Sequence, residues 1–263
     1  MALFSIVTVT RNNLAGLQRT HQSLQQQPLQ GFEWLVIDGA STDGTVEYLN
    51  SLSPRGEGWG EGDIKWLSEP DTGLYDAMNK GIERSTGFFL LFLNAGDALA
   101  AETTIEEIAA YIHELQETPD FIYGDSLEER PGHPPAHKPA RPYKNSAYGM
   151  FTHHQAMLYR RDLIGDLRYD AGYKIAADYK FTLQYLARAK TIVYCPFPLC
   201  LFECGGLSQQ KAALGRREQM DIRKELRAVS PLQNRFIALR QKIVWTLRRT
   251  FPNLYWLIKE KLH

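Results

Sequence analysis

Glu33-Trp34-Leu35-Val36-Ile37-Asp38-Gly39-Ala40-Ser41-Thr42-Asp43-Gly44-Thr45 is an apolar, β-favouring run that stops on Asp-Gly and turns into a segment of helical composition, Val46 to Leu52. A short apolar run bounded by turn residues predicts a strand buried on both faces. The preceding stretch repeats the pattern. Phe4 to Thr10 reads as a buried strand bounded by Arg11-Asn12-Asn13, and Leu14, Leu17 and Leu24 set a helix that stops before Pro28. Downstream, Ile64 to Leu67 reads as a short strand, Tyr75 to Ser85 as a helix, and Phe88 to Leu93 as a very apolar strand ending at Asn94-Ala95-Gly96-Asp97. This alternation predicts an α/β fold with a mostly parallel sheet flanked by helices on both faces. Ligands of such sheets sit beyond the carboxyl ends of the strands, where Thr10, Asp38 and Asp97 fall. A G-x-G-x-x-G is missing from the first strand-to-helix loop, which disfavours a standard dinucleotide site.

The second half is less regular. Ser53 to Gly62 and the proline-rich, basic stretch Pro131 to Tyr143 read as surface loops, the latter flexible. His153 to Tyr159 has strand character, Ala176 opens a helix running to about Ala189, and Ile192 to Tyr194 starts another strand.

Composition limits the partners. The 263 residues carry 30 Lys and Arg against 30 Asp and Glu, so no net charge argues for a nucleic acid. Cys195, Cys200 and Cys204 lack the spacing and the fourth ligand of a zinc site, and read as apolar thiols in and beside a buried strand. The first strand begins almost at the N-terminus, with no signal peptide before it, and no apolar run approaches the roughly 20 residues of a bilayer span. A cytoplasmic protein with reduced cysteines is expected.

Four blocks carry a resemblance. Val36 to Thr45 is similar to the nucleotide-binding turn of family 2 glycosyltransferases, and Ser68-Glu69-Pro70-Asp71-Thr72-Gly73-Leu74-Tyr75-Asp76-Ala77-Met78-Asn79-Lys80-Gly81-Ile82 resembles that family's next block. Leu93-Asn94-Ala95-Gly96-Asp97 sits where the family carries its D-x-D metal motif, and Ile175-Ala176-Ala177-Asp178-Tyr179 where it carries the catalytic carboxylate. The blocks arrive in family order, and the second most resembles bacterial exopolysaccharide transferases of the colanic-acid type. The resemblance implies a GT-A fold over residues 1–215 and a single, inverting sugar transfer from a UDP- or GDP-linked sugar to an acceptor hydroxyl. The acceptor expected is a lipid-linked glycan of exopolysaccharide or cell-surface polysaccharide synthesis. The family's processive Q-x-x-R-W motif is absent.

Site residues follow from the same blocks, from Thr10 at the first strand end, and from His154-Gln155, which resembles a family H-Q pair. Thr10, Asp38, Asp43, Asp71, Asn79, Asn94 and His154 are assigned to the nucleotide sugar, Asp97 to a divalent Mn2+ or Mg2+, and Asp178 to the base. Elementary chemistry agrees. A carboxylate such as Asp38 can accept a base N–H, although an Asx turn before glycine is the alternative. Asp43 serves equally as a turn and helix cap. A departing diphosphate needs a cation held by hard oxygen ligands, with Asn94 standing in for the first aspartate of the motif. The attacking hydroxyl must lose a proton to a positioned base, though Asp178 also suits an N-cap. The alternatives are transfer to a polyprenyl phosphate and a catalytically silent nucleotide-sugar-binding subunit.

From Gln209 onward thirteen Lys and Arg face four Asp and Glu. Phe236, Leu239, Ile243, Leu247, Phe251, Leu254, Ile258 and Leu262 recur at helical intervals among them. Residues 216–263 therefore read as a basic amphipathic helical extension. Trp245, Tyr255 and Trp256 suit a water–lipid boundary, so the expected partner is an anionic membrane surface, with a homodimer contact as the alternative.

Overall fold

The computed structural model describes residues 2–28, 31–52, 64–130 and 132–250. The expected loop from Ser53 to Gly62, and the tail from Phe251 onward, lie outside them. Strand β1 (Phe4–Thr10) is buried along its whole length. Helix α1 (Leu14–Gln25), strand β2 (Phe32–Asp38), helix α2 (Thr45–Leu52), strand β3 (Lys65–Ser68), helix α3 (Leu74–Arg84) and strand β4 (Phe89–Phe92) follow in alternation. β1 pairs in parallel with both β2 and β4, and β2 with β3. The register sets Thr10 beside Asp38 and Asp38 beside Ser68, so three polar residues line up at adjacent strand ends.

The period of two along these strands feeds two separate cores. Phe4, Ile6, Trp34 and Val36 pack with Leu17 and Leu24 of α1 and Leu49 of α2. Val7, Val9, Leu35 and Ile37 point the other way, against Tyr75, Met78 and Ile82 of α3. α3 approaches β1 closely enough that a Cβ on Gly81 would fall 2.4 Å from a methyl of Val7, so glycine is required there.

Beyond β4 come strand β5 (Ala98–Leu99), helix α4 (Thr104–His113), strands β6 (Phe121–Arg130), β7 (His133–Lys138) and β8 (Met157–Arg160), then helices α5 (Arg161–Ile164) and α6 (Ala177–Leu186). Strand β9 (Ile192–Glu203) and helices α7 (Leu207–Gln210), α8 (Ala212–Glu225) and α9 (Pro231–Thr250) complete the described chain. The strand order is β3-β2-β1-β4-β8-β6-β9-β5, with β7 on β6. The expectation of a mostly parallel sheet therefore holds only as far as β4. β8 is antiparallel to both β4 and β6, β5 is antiparallel to β9, and only β6 and β9 restore a parallel pair. A parallel neighbour needs a long crossover, and the short link from β6 to β7 can only return the chain antiparallel.

Two local expectations are corrected. Pro131 to Tyr143 is not a free loop: His133–Lys138 forms β7, paired with the outer half of β6. Its prolines are tolerated because it is an edge strand, and the register slips between Glu128 and Arg130 beside them. The predicted strand from His153 begins only at Met157, because His154–Ala156 coil into a 3-10 turn.

A boundary at 215/216 would cut α8. Glu218, 7% exposed, accepts the backbone N–H groups of Lys174, Ile175 and Ala176, each at 2.9 Å. Arg223, fully buried, donates through Nε to Asn234 Oδ1 of α9 at 2.7 Å. Replacing Glu218 by Ala would strand three main-chain donors beside α6, that of Ala176 buried, and is expected to lower unfolding free energy by about 2–4 kcal/mol. Glu218→Gln should cost less, and urea titration of both variants checks the order.

Candidate active site

A cleft of about 1090 Å³ is lined by β6, β7 and β9, by the segments after β4 and before β8, and by α3, α8 and the first turn of α6. Asn94, Asp97, His154 and Asp178 line it together. Thr10, Asp38, Asp43, Asp71 and Asn79 do not line it: Thr10 and Asp38 end β1 and β2, Asp43 and Asp71 lie in the loops after β2 and β3, and Asn79 is in α3.

Asp97, 5% exposed, follows β4 and gathers the surrounding strand ends. Its Oδ1 accepts the Glu203 N–H at 3.0 Å, its Oδ2 accepts Gln155 Nε2 at 2.6 Å, and its carbonyl accepts the Thr20 hydroxyl at 2.6 Å. Burial raises its carboxyl to about 6 against the opposing hydrogen bonds of Glu203 and Gln155, with the Glu203 charge adding to the rise. Close by, Asn94 Oδ1 and His154 Nε2 are buried without a hydrogen-bond partner. His154 stacks on Phe92, 5.4 Å between ring centroids, and burial lowers its pKa to about 4, so it is neutral.

Asp178, also lining the cleft, lies in the first turn of α6. Its Oδ1 accepts the Tyr179 N–H at 2.8 Å and faces the Tyr75 hydroxyl at 3.4 Å, while that hydroxyl donates to the Ile175 carbonyl at 2.8 Å. Burial raises the Asp178 carboxyl to about 6, with Tyr179 and Tyr75 pulling the other way. It is not the N-cap: Ala176 holds that position, and no side chain caps it. The lateral wall carries Glu128, Lys138 and His153. Lys138 Nζ meets Glu128 Oε1 at 2.6 Å and His153 meets the same oxygen at 3.0 Å, which together hold Glu128 at about 2 despite burial.

At the ends of β1 and β2 the polar residues divide into occupied and free. Asp38, fully buried, accepts Ser41 N–H at 2.9 Å, Ser68 Oγ at 2.6 Å and the Ser41 hydroxyl, so it shapes its own loop. Asp43 accepts Leu14 N–H at 2.9 Å, Thr45 Oγ1 at 2.6 Å and Thr45 N–H at 3.2 Å, which ties the first two loops together. Thr10 Oγ1, by contrast, is buried without a partner. Asp71 accepts Gly73 N–H at 3.0 Å and crowds the loop after β2, where a Cβ on Gly39 would fall 2.3 Å from its Oδ2. Asn12 and Ala40, in these same loops, are held at positive φ of 49° and 57°. Such strain concentrates at functional sites.

Asn79 is placed differently from expectation. Its amide closes a pair of hydrogen bonds on Tyr169, to the carbonyl at 2.9 Å and from the N–H at 2.7 Å. Both ends of the side chain are taken, so it braces α3 against the segment before α6. Tyr75, Gln155, Glu203 and Glu218 join the site without having been singled out as site residues. Gln155 stood in the quoted His154-Gln155 pair, whereas Glu203 and Glu218 have no local signal.

Among the described residues no group of three or more His, Cys, Asp or Glu converges as a ready metal site. The donors that fit a hard divalent cation are the Asp97 carboxylate, which retains lone pairs, and the unpartnered Asn94 Oδ1.

The Glycosyl transferase family 2 profile matches residues 5–168. The chain belongs to glycosyl transferase family 2. A PGL/p-HBAD biosynthesis glycosyltransferase of Mycobacterium bovis is 33% identical to it over 264 residues, covering 94% of this chain and 98% of the relative. An uncharacterized glycosyltransferase of Mycobacterium tuberculosis is 30% identical over 238 residues, covering 88% of this chain and 84% of its own. Among solved structures, S. aureus TarS 1-349 in complex with UDP-GlcNAc superposes with a TM-score of 0.68 at 19% identity, over 90% of this chain and 70% of that one. The mannosyltransferase PcManGT from Pyrobaculum calidifontis, in complex with GDP-Man and Mn2+, gives 0.62 at 16% identity, over 87% and 65%. The chain also spans 65% of TarS 1-349 in complex with UDP. These neighbours carry the GT-A fold, which is the fold of this family 2 enzyme.

Proton linkage gives this glycosyltransferase a testable signature. The folded values of Asp97 and Asp178, about 6, exceed their ordinary 3.8. The stability these groups contribute is therefore complete below about pH 4 and lost as pH rises through about 6. Asp178→Asn removes the buried charge yet keeps an oxygen to accept from Tyr179. It is expected to raise unfolding free energy by about 1–3 kcal/mol at pH 8 and to change it little at pH 4, as read from melting curves at both values.

Proposed function

We propose that this glycosyltransferase moves one sugar, with inversion, from a nucleotide-diphosphate sugar to a hydroxyl of a lipid-linked glycan. The setting we favour is exopolysaccharide or cell-surface polysaccharide synthesis of the colanic-acid kind. The observation that carries the reading is Asp178, a carboxyl at about 6 lining the same cleft as Asp97 and Asn94. A base near that value is deprotonated at neutral pH yet basic enough to take a proton from an attacking hydroxyl. Tyr75 and the Tyr179 N–H hold its orientation. The free Thr10 hydroxyl, beside Asp38 and the Asp71-braced loop, suits the nucleotide end of the donor. UDP, UDP-GlcNAc and GDP-Man in the solved neighbours support a UDP- or GDP-linked donor.

Asp97 and Asn94 would hold the divalent cation, Mn2+ or Mg2+, which when bound supplies positive charge against the leaving diphosphate. Neutral His154 and the Gln155 amide then line the same wall and add dipoles without a competing charge. The test is release of nucleoside diphosphate from a donor panel, with and without chelator. Turnover at saturation should fall by about 10²–10⁴ in Asp178→Asn with donor affinity retained, and wild-type turnover should drop as pH falls below about 6. Undiminished turnover in that variant would remove Asp178 from the chemistry.

We further propose that α9 lies on an anionic membrane surface at the cytoplasmic face. Among the described residues no helix is long and apolar enough to cross a membrane. Leu232, Phe236, Leu239 and Ile243 are 77%, 63%, 56% and 50% exposed along one stripe, with Arg235, Arg240 and Lys242 interleaved. Basic residues add about 1 kcal/mol each near an anionic leaflet. A Phe236→Ser, Leu239→Ser, Ile243→Ser triple variant should keep the wild-type melting temperature and lose salt-sensitive co-sedimentation with phosphatidylglycerol vesicles. A concentration-dependent dimer that the same changes dissolve would instead assign the stripe to a second copy.

A further inference from the structure

Three arginines, Arg141, Arg216 and Arg240 of α9, stand where the cleft meets α9, with no carboxylate paired to them among the described residues. Arg141 and Arg216 line the cleft, while Arg141 also lines, with Tyr148, Ile237, Arg240, Gln241 and Val244, a separate cavity of about 150 Å³ beneath α9. Among the described residues none of the three guanidiniums has an ion-pair partner. Arg141 spends one donor on the Met150 carbonyl at 2.6 Å. Arg240 lies over the Tyr148 ring at 5.5 Å and Arg216 over Trp245 at 4.6 Å. Aromatic faces hold the planes of these two guanidiniums while leaving their N–H edges available. Burial and the charge of Arg240 both push the Arg141 pKa down, the mark of cations gathered without an anion.

This positive pocket adjoins apolar surface. Ile237 and Val244 line its cavity, and the exposed stripe from Leu232 to Ile243 runs along the same helix. A guanidinium pair matches phosphate oxygens in geometry and charge, and the neighbouring stripe matches a hydrocarbon chain. We propose that Arg141 and Arg240, with Arg216 at the cleft side, form a binding site for the phosphate or diphosphate headgroup of a lipid-linked acceptor, its chain lying along α9. The site deepens the lipid-linked acceptor reading above and rests on it. It lets the sugar end of the acceptor enter the cleft past Arg141 while the lipid stays outside. Phosphate chemistry is shared by the donor diphosphate, so the test must separate the two sources.

Farnesyl diphosphate, farnesol and inorganic pyrophosphate are titrated calorimetrically into the full chain, into Arg240→Gln and into Arg141→Gln, without donor, at low and high salt. Farnesyl diphosphate is expected to bind at least about tenfold more tightly than either half-probe, because charge and chain are recognised together. Each variant should weaken it by about tenfold or more, salt should weaken it further, Arg240→Lys should recover part of the loss, and UDP should not displace it. Unchanged affinity in both variants overturns the site. Pyrophosphate binding as tightly as farnesyl diphosphate and displaced by UDP overturns it too, by assigning the diphosphate to the donor. Arg141 also holds the Met150 carbonyl, so melting curves accompany its variant, whereas the exposed Arg240 tests the site without that contact. Because no donor is present, failure of sugar transfer would show in the turnover assay and not here.

Discussion

The site depends first on one buried carboxylate. Asp97 lies between β4 and β5 and binds through opposite oxygens to Gln155, just before β8, and to the main chain of Glu203, at the end of β9. Its own carbonyl is tied to Thr20 of α1. Elements distant in the chain thus converge on a single group that burial drives towards protonation. A buried carboxylate of this kind is a poor structural element if stability were all that mattered. Under the proposed function, its place in the cleft is explained by the hard oxygen it offers an incoming cation.

Some unsatisfied buried groups belong to the scaffold, such as Trp66 Nε1, Ser126 Oγ and two nitrogens of Arg223, while others lie at the strand ends and in the cleft. Asp38, Asp43 and Asn79 spend their hydrogen-bonding capacity on neighbouring loops and main chain, and so fix the shape of the loops after β1 and β2 and the brace under α6. Thr10 Oγ1, Asn94 Oδ1 and His154 Nε2 are buried and unspent. Buried polar atoms without partners are uncommon and call for an explanation. Here all three are residues that the sequence motifs pointed to, with two of them in the cleft. The motif that begins at Ser68 behaves similarly: Lys80 pairs with Glu69 at 2.8 Å, Asp76 accepts from Thr72, and Gly81 admits β1. Much of that block is architecture that holds Tyr75 against Asp178.

The first half of the fold was legible because its signals are local. Each strand of β1, β2 and β4 is a continuous apolar run, and Asp38 and Asp97 mark strand ends directly in the sequence. The second half was not, because its strands borrow from tertiary context. β7 contains Pro134 and Pro135, and β9 contains Pro196 and Pro198, which only edge pairing and register slips accommodate. Among residues lining the cleft, Asp178 and Asp97 were picked out by motif position, whereas the contact of Asn79 with Tyr169 depends on a partner ninety residues away. Glu218 was hidden for the same reason, in a segment whose charge pattern suggested an appendage.

Glu218 has a consequence for synthesis of the protein. The loop that presents Asp178 closes only when a side chain forty residues further along the chain reaches it. On the ribosome, the sheet and its strand-end loops can form while α8 is still inside the exit tunnel, but the pocket around Asp178 cannot. The pocket around Asp178 is therefore unfinished until α8 has emerged, and truncation by a premature stop codon within α8 would leave an intact-looking sheet with an incomplete wall beside Asp178.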